Sequence, residues 1–141
     1  MDGLTISEMK VGDAAQTSKT LSEFDVYQFA GITGDFNPAH VDEEYAKGTF
    51  FEGRIAHGML LGGFISAVIA MKLPGPGAVY LKQDFAFRAP ARVGDTVTAR
   101  VEVVDVQIEK NRLTLRTTCS NQDGTLLVEG EAFISPRKVR K

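Results

Sequence analysis

Only two histidines occur among the 141 residues, and both lie in short segments marked by glycine or proline. His40 closes the run Gly34-Asp-Phe-Asn-Pro-Ala-His40, five residues after Asp35. A carboxylate and an imidazole held on one short rigid segment suit general acid/base chemistry. The carboxylate can accept a hydrogen bond from a water molecule while the imidazole takes or returns a proton near neutral pH. The same residues also read as a helix end followed by an Asn-Pro turn, and spacing alone leaves both readings open. His57 precedes Gly58 in Ala56-His57-Gly58-Met59, at the expected start of a helix whose later residues include Gly62 and Gly63. Unpaired backbone N–H groups there, with the positive end of the helix dipole, favour negative charge developing on a reacting oxygen. A buried donor of this kind is worth about 3–4 kcal/mol. Gly62 and Gly63 also read as residues that let the helix pack closely on a sheet, a role that uses different atoms. His57 itself reads as structural, a residue that positions the helix start.

The elements that must hold these groups are legible in outline. Ser22-Glu-Phe-Asp25 has the form of a capping box with Asp in place of the usual Glu. It opens a helix in which Phe24, Tyr27, Phe29 and Ala30 supply apolar surface. The helix should fail near Thr33-Gly34, since glycine readily takes the left-handed conformation at a helix end. Asp35 to His40 follow as a loop, with Pro38 restricting Asn37 to extended geometry. Asp42 to Lys47 form a short helix with acidic residues in its first turn. From about Gly58 to Lys72, apolar residues cover nearly all faces, which predicts a buried rather than amphipathic helix. Leu73-Pro-Gly-Pro-Gly77 terminates it. Beyond residue 77 the segments 78–88, 96–109, 113–121 and 125–135 are rich in Val, Thr, Leu and Phe and read as strands. Gly94-Asp95, Lys110-Asn111 and Asp123-Gly124 supply turns, and three tight connections in succession imply antiparallel neighbours. An early strand near residues 14–20 completes the sheet. One apolar helix wrapped by a curved antiparallel sheet is an α+β layout, and residues 1–141 read as a single domain.

Composition removes several function classes. Lys and Arg total 16 against 18 Asp and Glu, a net charge of −2, which argues against nucleic acid as a partner. The tail Arg137-Lys-Val-Arg-Lys141 carries four positive charges. It reads as a frayed, solvated terminus or as a contact to the phosphates of a nucleotide-bearing substrate. The longest apolar stretch, Met59 to Leu73, is interrupted by glycines and Lys72 and is too short to span a bilayer, so no membrane partner is expected. No basic region followed by an apolar run opens the chain, and a cytoplasmic location is the default expectation. Cys119 is the single cysteine, so no intramolecular disulfide can form. Scattered histidines and one cysteine do not make a zinc constellation, so no metal is expected. Gly75-Pro-Gly77 lacks the strand-to-helix context of a phosphate loop.

Two motifs point further. Phe29-Ala-Gly-Ile-Thr-Gly-Asp-Phe-Asn-Pro-Ala-His-Val-Asp42 resembles the hydratase motif of the MaoC-like, (R)-specific enoyl-CoA hydratases, and Gly53-Arg-Ile-Ala-His-Gly-Met-Leu60 resembles their second signature. Tyr80-Leu-Lys-Gln-Asp-Phe-Ala-Phe-Arg-Ala-Pro90, with Val93-Gly-Asp95, is similar to their next strand and turn, so the resemblance runs from about residue 11 to 134. It implies a hot-dog fold and a homodimer with each active site at the subunit interface. It implies Asp35 and His40 as the catalytic pair, the Gly58 amide as oxyanion donor, and Asn37 as a residue that shapes the loop or touches the pair. The implied reaction is hydration of a trans-2-enoyl-CoA to the (3R)-hydroxyacyl-CoA, with no cofactor, coenzyme A being part of the substrate. Phe85 and Phe87 alternate onto one face and read either as core packing or as the lining of an acyl tunnel. Gly63 departs from those single-domain members that carry a serine there, which leaves more room. Rival readings are a dehydratase acting on acyl-carrier-protein thioesters, a thioesterase, and a non-catalytic acyl-thioester binding module.

Overall fold

The computed structural model describes residues 1–140, so Lys141, the last charge of the basic tail, lies outside the described residues. After a 3-10 turn at Ile6–Glu8 come strand β1 (Ala14–Thr20) and helices α1 (Glu23–Thr33), α2 (Pro38–Val41), α3 (Glu43–Lys47) and α4 (Gly58–Met71). Strands β2 (Val79–Gln83), β3 (Ala86–Phe87), β4 (Thr96–Gln107), β5 (Arg112–Ser120) and β6 (Leu126–Ser135) complete the chain. The sheet is antiparallel in the order β1-β4-β5-β6-β2, with β3 also on β6. Its inner face packs on α4, as the hot-dog fold requires.

Alternation drives the packing. Val97, Ala99, Val101 and Val103 of β4 and Leu113, Leu115 and Cys119 of β5 point inward, where they meet Leu61, Ile65, Val68 and Ile69 of α4. Each Val, Leu or Ile among them contributes about 1.5–3 kcal/mol on burial. Register shifts between Val103 and Asp105 on β4, and between Cys119 and Ser120 on β5, bend the sheet around the helix.

Five expectations need correction. Segment 78–88 is not one strand: it breaks at Asp84-Phe85 into β2 and β3, both paired with β6. The Gly94-Asp95 turn does not join sheet neighbours, because β4 lies between β1 and β5, on the far side from β3. Helix α4 is not buried all round: Met59, Gly63, Ala67, Ala70 and Met71 face outward. On α1 the inward residues are Val26 and Ala30, whereas Phe24 and Tyr27 are exposed. The tail is not frayed at its start either. Arg137 Nε donates to the Gly3 carbonyl, and Arg140 pairs with Asp2 at 3.5 Å. Among the described residues no helix is long and apolar enough to cross a membrane.

Candidate active site

The site is assembled where α1 ends. Ser22 accepts from the Asp25 amide and Asp25 from the Ser22 amide, the reciprocal capping box that starts α1. Gly34 closes the helix with a left-handed φ of 83°. The chain then turns on side-chain oxygens: the Asp35 amide donates to Thr33 Oγ1 (3.2 Å) and the Asn37 amide to Asp35 Oδ1 (3.2 Å). Asn37 Oδ1 in turn caps α2 by accepting from the Ala39 amide at 3.0 Å. The expected loop from Asp35 to His40 is therefore only half loop. His40 stands on α2, a short helix that Asn37 caps and that Pro38, preset for a first helical position, begins. Asn37 shapes the segment and holds one carboxylate oxygen of Asp35 through its own backbone.

That leaves Asp35 Oδ2 facing His40 Nε2 across 4.0 Å. The other imidazole nitrogen, His40 Nδ1, lies 2.8 Å from the Ile55 carbonyl, which can only accept. Nδ1 therefore carries the hydrogen, and in the neutral ring Nε2 is bare and basic. The His40 side chain is 14% exposed and that of Asp35 50%, so the imidazole is sheltered while the carboxylate opens outward.

The two histidines are not scattered, as the sequence suggested. Their rings stack with centroids 3.8 Å apart and planes 30° off parallel, and the Phe29 ring packs tilted against His57 at 4.8 Å. His57 is 2% exposed. Its Nε2–H donates to the backbone carbonyl of Asp35 at 2.9 Å, while its Nδ1 is buried without a hydrogen-bond partner. Burial pushes its pKa below the usual 6.5 and the neighbouring His40 adds to that, against a pull upward from Asp35. His57 is thus a neutral imidazole. Polar atoms of Asp35, His40 and His57 all lie within 4.8 Å of one another. The two imidazoles nonetheless meet face to face, and the bare His57 nitrogen is sealed off. Imidazoles bind metal edge-on through an open lone pair.

Gly58 begins α4, and its amide has no acceptor within the chain among the described residues. A Cβ on Gly58 would sit 2.6 Å from the Phe87 ring, and one on Gly62 would sit 2.9 Å from that of Phe85, so a side chain at either position would displace a ring. The same test separates the two glycines read as packing residues, since nothing lies within 4 Å of a Cβ built on Gly63. Phe85 and Phe87 share a face, with ring centroids 6.0 Å apart. Phe85 packs on the core. Phe87 is 54% exposed and lines a cavity of about 300 Å³ with Phe50, Phe51, Ala56, Gly58 and Leu61. An apolar groove of about 520 Å³ runs along the outer side of α4, lined by Phe29, Thr33, Met59, Gly63, Ser66 and Phe85.

Sequence reasoning missed the frame that clamps the segment bearing Ile55, His57 and Gly58. Arg54 donates to Glu23 of α1, to Glu43 of α3 at 3.2 Å and to Tyr27 Oη at 3.2 Å. The bond to Glu23 raises the Arg54 pKa further and lowers that of Glu23. Arg92 adds bonds to the Arg54 carbonyl (3.3 Å) and the Phe51 carbonyl. The one available signal was a lone arginine inside the Gly53–Leu60 signature.

Known proteins share the sequence and fold of this chain. A family model described as "MaoC like domain" matches residues 7–123. An (R)-specific enoyl-CoA hydratase from Rhodospirillum rubrum is 54% identical over 127 residues, covering 90% of this chain and 88% of the relative. A 3-hydroxybutyryl-CoA dehydratase from Methylorubrum extorquens is 46% identical over 136 residues, covering 96% of this chain and 86% of the relative. Among solved structures, the unliganded R-hydratase PhaJ1 from Pseudomonas aeruginosa superposes with a TM-score of 0.91 at 41% identity, over 98% of this chain and 88% of that one. With the Asp35–His40 segment and the Gly58 helix start both inside the matched span, the chain belongs to the MaoC-like domain family.

Proposed function

We propose that this protein is a hydro-lyase that adds water to the double bond of a trans-2-enoyl-CoA and gives the (3R)-hydroxyacyl-CoA. The observation that carries the reading is the 4.0 Å gap between Asp35 Oδ2 and a bare His40 Nε2. The gap is too wide for a direct hydrogen bond and right for one water about 2.8 Å from each atom. His40 Nε2 removes a proton from that water, whose oxygen attacks C3. The C2–C3 π electrons move onto the thioester oxygen, where the Gly58 N–H and the start of α4 hold the enolate charge. The acid/base pair then returns a proton to C2 as the carbonyl re-forms. Water is the only molecule gained and nothing is oxidised or reduced overall, so the balance calls for no redox or group-transfer cofactor, and coenzyme A enters as part of the substrate. The stereochemistry follows the R-specific name of the Rhodospirillum rubrum relative.

The working unit is a homodimer. The half-exposed Asp35 carboxylate, the outward residues Met59 and Gly63 of α4, and the exposed edge at Val79–Leu81 support this. A second copy laid on that face closes the groove and excludes water from the reacting centre, which strengthens every charge interaction there. A reducing cytoplasmic setting suits a chain whose single cysteine is free and buried.

Loss of enoyl-thioester absorbance with crotonyl-CoA tests the reading for wild type, Asp35→Asn and His40→Gln. Each variant is expected to slow turnover by about a hundredfold or more. Equal or better rates on matched carrier-protein thioesters would move the substrate class. Tight binding without turnover on either carrier would leave only an acyl-thioester binding module.

A further inference from the structure

We propose that His57 is a positioning residue for the acid/base pair: its Nε2–H fixes the Asp35 backbone while its ring backs the His40 imidazole. The proposal rests on the hydratase reading of the same site.

The sequence assigns His57 to the helix start, and the structure places it there while sending its side chain elsewhere. His57 occupies the N-cap position of α4, yet its side chain makes no cap hydrogen bond. Its one side-chain hydrogen bond crosses to the carbonyl of Asp35, 22 residues earlier. His40 is then constrained in two independent ways. The Nδ1–H bond to Ile55 pins one edge of the ring at 2.8 Å, and the His57 face, 3.8 Å away, prevents the plane from tilting. With edge and plane both set, Nε2 has one direction left, toward Asp35. Phe29 packs against His57 as well, with ring centroids 4.8 Å apart, so the plate is itself held by a neighbour besides His40.

The unpartnered Nδ1 explains why the residue is a histidine. Buried polar atoms almost always find a partner, and an exception calls for a reason. Phenylalanine would stack equally well and bury no orphan nitrogen, but it could not donate to Asp35. Only a ring with a donor at the Nε2 position does both, and the orphan Nδ1 accompanies that choice. Asp35 and His40 are the titratable groups that face this ring. Two imidazolium rings 3.8 Å apart would repel strongly in a sheltered site. Burial and the unpartnered Nδ1 both disfavour a second proton on His57, so the ring positions the pair without taking the proton itself.

The test has two arms. Nitrogen-15 NMR of the wild type reads the tautomers directly and needs no substrate. His40 is expected as Nδ1–H and His57 as Nε2–H, with His57 remaining neutral throughout the pH range of activity. Steady-state kinetics with an enoyl-CoA then compares wild type, Asp35→Asn, His57→Phe and His57→Gln. The phenylalanine variant keeps the plate and loses the donor, so kcat should fall by roughly tenfold or more with KM within about twofold. A shift of about 1 Å in a reacting group costs up to roughly a hundredfold. Glutamine returns a donor near the Nε2 position and should recover part of that loss. Both variants within twofold of wild-type kcat, an effect on KM alone, or the same tautomer in both histidines would overturn the proposal. A folded wild type without turnover would instead sink the hydratase reading, and the tautomers would still decide the positioning. If His57→Phe fails to fold, His57→Gln and the tautomers decide.

Discussion

Replacing Gly130 with alanine probes how the sheet places the site. Gly130 lies on β6 under the break between β2 and β3, where a Cβ would stand 1.9 Å from the Asp84 carbonyl oxygen. An ordinary close carbon–oxygen contact is about 3.3 Å, so the two atoms must separate by about 1.4 Å. Neither side yields cheaply, since both are backbone. Gly130 is held by the β5 pairing and by a 3.0 Å bond from Thr117 Oγ1 to its carbonyl. Asp84 is held by its amide bond to the Glu131 carbonyl (3.1 Å) and by the Glu131 amide donating to its carboxylate (3.0 Å). Freeing Asp84 removes one neutral and one charge-assisted bond, together about 2–3 kcal/mol at this partly exposed position. For a chain of this length that corresponds to a fall of about 10 °C in Tm. Because β3 carries Phe87 onto Gly58, kcat should also drop at temperatures where the variant is still folded. Thermal unfolding by circular dichroism at fixed protein concentration, with kinetics on the same preparations, reads both effects. A Tm within about 3 °C of wild type with unchanged activity would refute the argument that the Asp84 crossing is rigid.

Adjacent glycines on α4 should respond in opposite ways. Gly62→Ala, 2.9 Å from the Phe85 ring, is expected to lose about 1–2 kcal/mol by overpacking. Gly63→Ala meets nothing in its own chain, so it should leave the fold intact and, in the proposed dimer, weaken association, seen as dissociation at a higher protein concentration in sedimentation. Arg54→Met should destabilise by about 1 kcal/mol at neutral pH, because its carboxylate partners are half solvated. The folded-state pKa of Glu23 is lowered from 4.5 mainly by its bond to Arg54. The pair's contribution is therefore present above 4.5 and lost as pH falls through the lowered value. Urea titrations of wild type and variant should converge toward acid, and a gap that widens there would contradict this.

Local signals carried much of the scaffold. Ser22 with Asp25, Gly34, and Asn37 with Pro38 each act within about four residues, and capping and turn chemistry at that range leaves a clear trace in residue type. The strands were legible by composition and their partners less so. Gly94-Asp95 is as good a turn as Asp123-Gly124, yet it leads from β3 across to β4 rather than into a hairpin. A turn specifies a change of direction, while the neighbour is chosen by packing over the whole sheet. Gly130 gave no hint of the carbonyl above it for the same reason. Hydropathy also misread α4, because an apolar residue covered by its own core and one left bare for another surface look identical in sequence.

The residues proposed to react stand out in the sequence and the groups around them do not, and the difference is one of chemistry. Asp35, His40 and Gly58 are distinguished by what they can do alone: accept, exchange a proton, or offer an N–H at a helix start. Ile55 acts through a carbonyl that every residue possesses, so nothing in its side chain marks it as the group that sets the His40 tautomer. His57 was visible as a histidine but not as a neighbour of His40, because only α1, α2 and the Arg54 clamp together bring the two rings face to face. A carboxylate and an imidazole five residues apart can point anywhere. The fold makes them a pair by fixing the backbone under one and the plane of the other, and the only buried side-chain polar atom left unpartnered among the described residues, His57 Nδ1, belongs to the ring that does both.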